Sequence, residues 1–313
     1  MSSSDAAAGA LLGTFVGDAM GAPWEGRSPT PPGAGELRID DSLARGELRY
    51  TDDTQMALAL AEHLCVDPQV EPESLARTFL EHFEPDRGYG SGTRQIVARW
   101  REGMPAARAA TADFPEGSLG NGAAMRVAPV GVLWAHDPIR LAEVALRSAA
   151  LTHAHPVGID GAVVQARAVG LAVVRGRFGP DELAELAASA ATPELREGLA
   201  DARRLCDDPP EQPVEVAVEL GTSPVAHRSV PAALWLAASS DSFAEAVMGA
   251  LELGGDMDTI AAMAGAVLGA AGGLDVIPKE WLDLLEDGPR GRAYTMALAR
   301  RLADVAEGLR RGG

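Results

Sequence analysis

The sequence predicts an all-α fold: one compact, multi-helix domain spanning residues 1–313. Three observations carry this. Apolar residues recur at helical spacing along nearly the whole chain, Gly and Pro interrupt them at helix-length intervals, and only one stretch alternates as a strand would. The core must also be built from small side chains, because hydrophobic residues make up 47% of the composition and aromatic residues only 4%. Small residues favour closely packed helices. No linker, low-complexity break or fixed-period repeat divides the chain, which disfavours a two-domain or solenoid arrangement.

The first helix is expected over residues 5–21, with Leu11, Leu12, Phe15, Val16 and Met20 on its apolar side. Gly13, Gly17 and Gly21 recur every fourth position and leave one face bare. Because Gly costs roughly 1 kcal/mol in a helix interior, the bare face implies close packing of another helix, with close approach of a ligand as the alternative. Pro23, Pro29, Pro31 and Pro32 end the helix, placing Trp24-Glu25-Gly26 in a loop and leaving an irregular segment up to Tyr50. Glu25 is a candidate site residue there.

Further helices are predicted over 51–64, 73–83, 94–101, 123–134, 138–150, 158–175, 180–190 and 193–205. After Val214–Leu220, which alternates like a short edge strand or disguises a helix, come helices at 231–239, 242–253, 257–272, 279–286 and 290–310. Two Gly-rich turns precede helices, at 88–93 and at Gly117-Ser118-Leu119-Gly120-Asn121-Gly122. Such turns can offer backbone N–H groups to the phosphates of one ligand. Neither fits a P-loop or a dinucleotide fingerprint. His153 and His155 form a His-x-His pair, but no Cys or third His lies nearby and Pro156 makes the segment a turn, so a polar contact is favoured over zinc.

Two acid clusters open apolar helices from opposite ends of the chain: Thr51-Asp52-Asp53-Thr54 and Asp256-Met257-Asp258-Thr259. Helix capping explains one Asp at a helix start. Two clusters of two acids, each flanked by Thr, exceed that need and form an all-oxygen donor set suited to Mg²⁺, Mn²⁺ or Ca²⁺. If the fold joins them, two cations can share the carboxylates.

A formal net charge of −18 excludes non-specific nucleic-acid binding and docking on anionic membranes, since both need a basic face. Cys65 and Cys206 are too few for a disulfide framework and fit a reduced, cytoplasmic setting. Residues 1–20 lack a signal-peptide pattern, and the apolar run from Ile260 to Leu274 is shorter than the roughly 20 residues that span a bilayer. A monomer is the default expectation.

Six segments in order resemble the ADP-ribosylglycohydrolases, the group that includes dinitrogenase-reductase-activating hydrolases and eukaryotic ADP-ribosylhydrolases. They are Gly17-Asp18-x-x-Gly21 through Glu25, Thr51 to Thr54, Gly117 to Arg126, Thr152-His153, Ser229 to Leu234, and Gly255 to Ala261. The resemblance implies an all-helical fold around two Mg²⁺ or Mn²⁺ ions, with Thr51, Asp52, Asp53, Asp256, Asp258 and Thr259 as ligands. It implies that the Gly117–Gly122 turn, with His153 beside it, holds the diphosphate and nearby ribose of an ADP-ribosylated protein or small molecule.

By the same analogy Asp256 orients or deprotonates a water, and Glu25 assists substrate or proton transfer. Leu119 stands where relatives often carry an aromatic residue against the adenine. Arginine-specific members tend to carry an acid where this chain has Gly88-Tyr89-Gly90-Ser91, which leaves serine-linked and small-molecule substrates open. The alternatives are a catalytically silent ADP-ribose or nucleotide-binding module and a di-metal phosphoesterase.

Overall fold

In the computed structural model, which describes residues 1–312, the glycine face of α1 (Ser3–Gly21) lies directly against α15 (Met257–Gly272). The backbones approach so closely that a Cβ on Gly17 would sit 2.2 Å from the Ala261 carbonyl oxygen, and one on Gly21 would sit 2.4 Å from the Asp258 Cα. Gly265 and Gly269 on α15 answer Gly13 and Gly9 on α1 in the same way. The bare face is therefore a helix-packing surface, and its effect is to bring Asp18 of α1 beside Asp258 of α15.

Around this pair the chain adds α2 (Ala34–Ala44), α3 (Asp52–Leu64), α4 (Pro72–His82), α5 (Ser91–Arg101), α6 (Ala106–Ala109), α7 (Ala128–Leu133), α8 (Pro138–Ala150) and α9 (Pro156–Arg175). Then follow α10 (Pro180–Ser189), α11 (Pro193–Asp207), α12 (Pro213–Glu219), α13 (Ala226–Ser239), α14 (Phe243–Leu253), α16 (Lys279–Leu284) and α17 (Arg292–Gly312). No strand occurs among the described residues; two isolated bridges, Leu48 with Leu285 and Gly120 with Val225, are the only β-type pairings there. One main core, filled largely by Ala, Leu and Val, is shared by the helices. Helix α9 is long and apolar enough to cross a bilayer, with mean hydropathy 1.6, but it is 67% buried inside the bundle and packs on α7, α8, α13 and α15.

One open choice is decided and two expectations are corrected. Val214–Leu220 takes the helical alternative: Pro213 opens α12, and only Val216 on that helix is buried, so the alternation of Val and Glu records exposure rather than pleating. The segment before Tyr50 is not irregular throughout, because α2 forms there with the Glu252 carboxylate of α14 accepting from the Gly33 and Gly35 N–H groups at 2.7 and 3.1 Å. The helix expected from residue 123 starts only at Ala128; residues 122–126 form successive turns instead.

Candidate active site

Asp18 is the buried pivot of the site. Its carboxylate accepts from four groups on the start of α3: the Thr51 N–H at 2.9 Å and hydroxyl at 2.8 Å, and the Thr54 N–H at 3.1 Å and hydroxyl at 2.6 Å. The residue that caps α3 thus comes from α1, and Thr51 makes no capping bond of its own. A Thr51 hydroxyl that gives its proton to Asp18 keeps lone pairs for another partner. Burial pushes the Asp18 carboxyl up from its ordinary value, against these four donors.

The second cluster is set by a two-glycine turn. Gly254 and Gly255 both have positive φ, 74° and 73°, and Cβ atoms there would meet Pro29 N at 2.5 Å and Thr222 O at 2.3 Å. The turn delivers Asp256 to the N-cap position of α15 without a side-chain capping bond, so capping does not account for its carboxylate. Asp256 Oδ2 instead accepts from Asn121 Nδ2, which also donates to Ser229 Oγ at 2.9 Å. The Gly26 N–H donates to Gly255 O and the Gly255 N–H to Arg27 O, both at 2.8 Å. The Glu25 loop is thereby laced to the Asp256 loop.

Ligand oxygens of Glu25, Asp256 and Asp258 lie within 4.8 Å of one another. Thr51, Asp52, Asp53 and Thr259 line the same cavity, of about 410 Å³, whose size suits a nucleotide-like ligand. Asp53 Oδ1 is buried without a hydrogen-bond partner. Burial first, then the neighbouring carboxylates, pushes Asp52 up to about 7 and holds Asp53 and Asp258 well above the usual range. Asp256 is pushed up to about 6 by burial and by the Glu25 charge, while the Asn121 bond pulls the other way. An orphaned carboxylate oxygen among crowded acids is the environment a hard divalent cation satisfies.

Ser118, Gly120, Asn121, Gly122 and His153 line the same cavity, with Gly88, Gly90 and Ser91 from the earlier turn. Gly117 and Leu119 fall outside the lining. A Cβ on Gly117 would meet His155 N at 2.2 Å, so that residue serves packing against the chain, and Leu119 is turned outward at 38% exposure. The aromatic on the wall is Phe114, 45% exposed, with the apolar Ile96 and Met125 also lining the cavity. Sequence reading missed Phe114 because it precedes the Gly-rich turn with no periodic signal. It also missed Asp18 as a support of Thr51, although the residue stood in a quoted motif.

The raised carboxyls make a direct prediction. A group whose folded pKa exceeds its unfolded value stabilises the fold below the unfolded pKa and loses that contribution as pH rises through the folded one. With Asp256 near 6 and Asp52 near 7, chelator-treated protein is expected to lose thermal stability between about pH 5 and pH 8. Mg²⁺ should raise the melting temperature more at the upper end. A chelated protein with a flat or rising profile over that range would show that burial and the neighbouring charges do not raise these carboxyls.

Fold and site together define an all-helical protein with a carboxylate-rich centre in a nucleotide-sized cleft. The ADP-ribosylglycohydrolase family model matches residues 1–312, and the chain belongs to that family. It is 32% identical to ADP-ribosylhydrolase ARH3 of Bos taurus over 95% of this chain and 92% of that protein. It is 30% identical to the ADP-ribosyl-[dinitrogen reductase] glycohydrolase of Rhodospirillum rubrum over 90% of each. A solved structure titled an ADP-ribosylglycohydrolase-related protein complex superposes with TM-score 0.74 at 29% identity, covering 97% of this chain and 99% of that one.

Proposed function

We propose that this protein is a divalent-metal-dependent hydrolase that releases ADP-ribose by cleaving the anomeric bond of an ADP-ribosyl group on a protein side chain or small molecule. The observation that carries the reading is the carboxylate centre sharing one cavity with a Gly-rich turn and its polar partners. Thr51, Asp52, Asp53, Asp256, Asp258 and Thr259 would hold two Mg²⁺ or Mn²⁺ ions. Bound cations would supply positive charge for orienting ribose hydroxyls and for acidifying a water.

The protein's own groups do the rest. Asn121 and Ser229 hold Asp256 in one orientation, suited to taking a proton from the attacking water. Glu25, on the open side, is placed to assist proton transfer at the leaving group. Phe114, Ile96 and Met125 offer an apolar surface on which a purine can pack. The Ser118–Gly122 turn and His153 give polar contacts to the diphosphate and ribose.

All five carboxylates on the cavity wall belong to the centre, and Gly88, Gly90 and Ser91 offer none to a guanidinium. An oxygen-linked acceptor such as serine is therefore favoured over arginine. The test is ADP-ribose release from matched serine-linked and arginine-linked peptides, with Mg²⁺ and with chelator. Faster release from the serine-linked peptide, lost on chelation, is the expected result. Release of phosphate in place of ADP-ribose would make the protein a phosphoesterase, and tight ADP-ribose binding without release from either peptide would make it a binding module.

A further inference from the structure

Arg126 is the largest fully buried side chain of the protein, and among the described residues no carboxylate pairs with it. Its guanidinium lies 4.9 Å over the Phe79 ring. Its nitrogens donate to Gly122 O at 3.2 Å, Ser148 O at 2.8 Å and Thr152 Oγ1 at 2.8 Å. Burial lowers Arg126 to about 9, which still leaves it a cation at neutral pH. Such a group is costly to bury. Its contacts point to a task beyond filling space.

The task can be read from the direction of the hydrogen bonds. A guanidinium only donates, so Thr152 Oγ1 must accept from it. The Thr152 hydroxyl proton then has one acceptor in reach, His153 Nδ1 at 2.8 Å. With Nδ1 accepting, the ring proton sits on Nε2. The opposite tautomer would direct Nδ1–H at Thr152 Oγ1 and leave the hydroxyl proton of this residue, only 1% exposed, without an acceptor among the described residues. That loss should disfavour it by about tenfold or more. Burial and the Arg126 charge hold the imidazole down at about 3, so the doubly protonated ring does not compete near neutrality.

The Nε2 edge faces the wall used by the ligand. A Cβ on Gly122 would lie 3.1 Å from Nε2, one on Gly120 would lie 3.4 Å from it, and His153, Gly120 and Gly122 line the cavity together. Nε2 has no hydrogen-bond partner among the described residues, whereas Nδ1 has one. We propose that Arg126 and Thr152 are positioning residues that hold His153 as the neutral Nε2–H tautomer, presenting a hydrogen-bond donor to a phosphate or ribose oxygen of the ligand. Only the identity of that ligand rests on the ADP-ribose reading. A lone pair at the same place would repel a phosphate oxygen, which can only accept.

Two-bond ¹H–¹⁵N correlation spectra of ¹⁵N-histidine-labelled protein read the tautomer without any ligand, with the His153 signals assigned by their loss in His153→Gln. In wild type an unprotonated Nδ1 and a protonated Nε2 are expected, unchanged from about pH 5 to pH 8. Thr152→Val should mix or reverse the tautomers and weaken ADP-ribose binding about tenfold, and Thr152→Ser should restore both. A proton on Nδ1 in wild type, or a Thr152→Val protein with the wild-type tautomer, would overturn the relay. A reversed tautomer with unchanged ADP-ribose affinity would overturn the donor role. A wild type with the Nε2–H tautomer that binds no ADP-ribose would support the relay and count against the ADP-ribose reading.

Discussion

Asp256→Ala is expected to slow ADP-ribose release by about a thousandfold or more while leaving the metal-free protein at least as stable as wild type. The two effects have opposite signs because the carboxylate serves the reaction and burdens the fold. At neutral pH it is kept charged although burial and the Glu25 charge push it up to about 6, a burden of roughly 3 kcal/mol. Its removal forfeits the charge-assisted hydrogen bond from Asn121, worth about 2 kcal/mol, and a weaker one from Thr259, while Asn121 keeps Ser229 as a partner. No helix cap is lost, since Asp256 makes none. On the proposed reading, losing a cation ligand and the group that would face the attacking water removes several kcal/mol of transition-state stabilisation, and each 1.4 kcal/mol is tenfold in rate. Steady-state rates and melting curves in chelator decide the matter. A parallel fall in both would make Asp256 scaffold, and retained activity would place the chemistry elsewhere.

Gly17→Ala should destabilise the protein by about 3 kcal/mol or more, despite the roughly 1 kcal/mol that Ala normally gains over Gly in a helix. The added methyl would meet Ala261 O at 2.2 Å, Ala261 C at 2.4 Å and Ala262 N at 2.7 Å, all backbone atoms of α15. No side chain can turn aside. The two helices have to separate, and Asp18, the next residue, would move away from Asp258. A melting temperature lowered by about 5 °C or more and a weaker Mg²⁺-induced shift are expected together. An unchanged melting temperature would mean that the helices part without cost. Gly90→Ala is the control, because nothing lies within 4 Å of a Cβ there.

Legibility followed the range of the interactions. The glycine period on α1 and the acid pairs at the starts of α3 and α15 are local patterns with strong physical meaning, and the structure joins them in one cavity. Helix α2 was not legible because it depends on Glu252 from far along the chain and buries only Gly35, Ile39 and Ser42. Phe114 reaches the cavity through the fold and carries no pattern of its own. Asp18 stood in the sequence only as part of the Gly17-Asp18-x-x-Gly21 motif, with no partner named for it. Its four donors lie on α3, so a helix periodicity could not reveal them.

The pairing of α1 with α15 also sets a timetable. Asp18 and Thr51 leave the ribosome about 200 residues ahead of Asp256 and Asp258, and the glycine face of α1 has its partner only once α15 exists. Bringing such distant segments together makes loop closure slow and its entropy cost high. Until that closure, α3 and α7 can cover part of the first helix, but its glycine face stays open. The nascent chain therefore passes through a long interval in which it needs shelter from aggregation, and a cation can reward only the final step of folding.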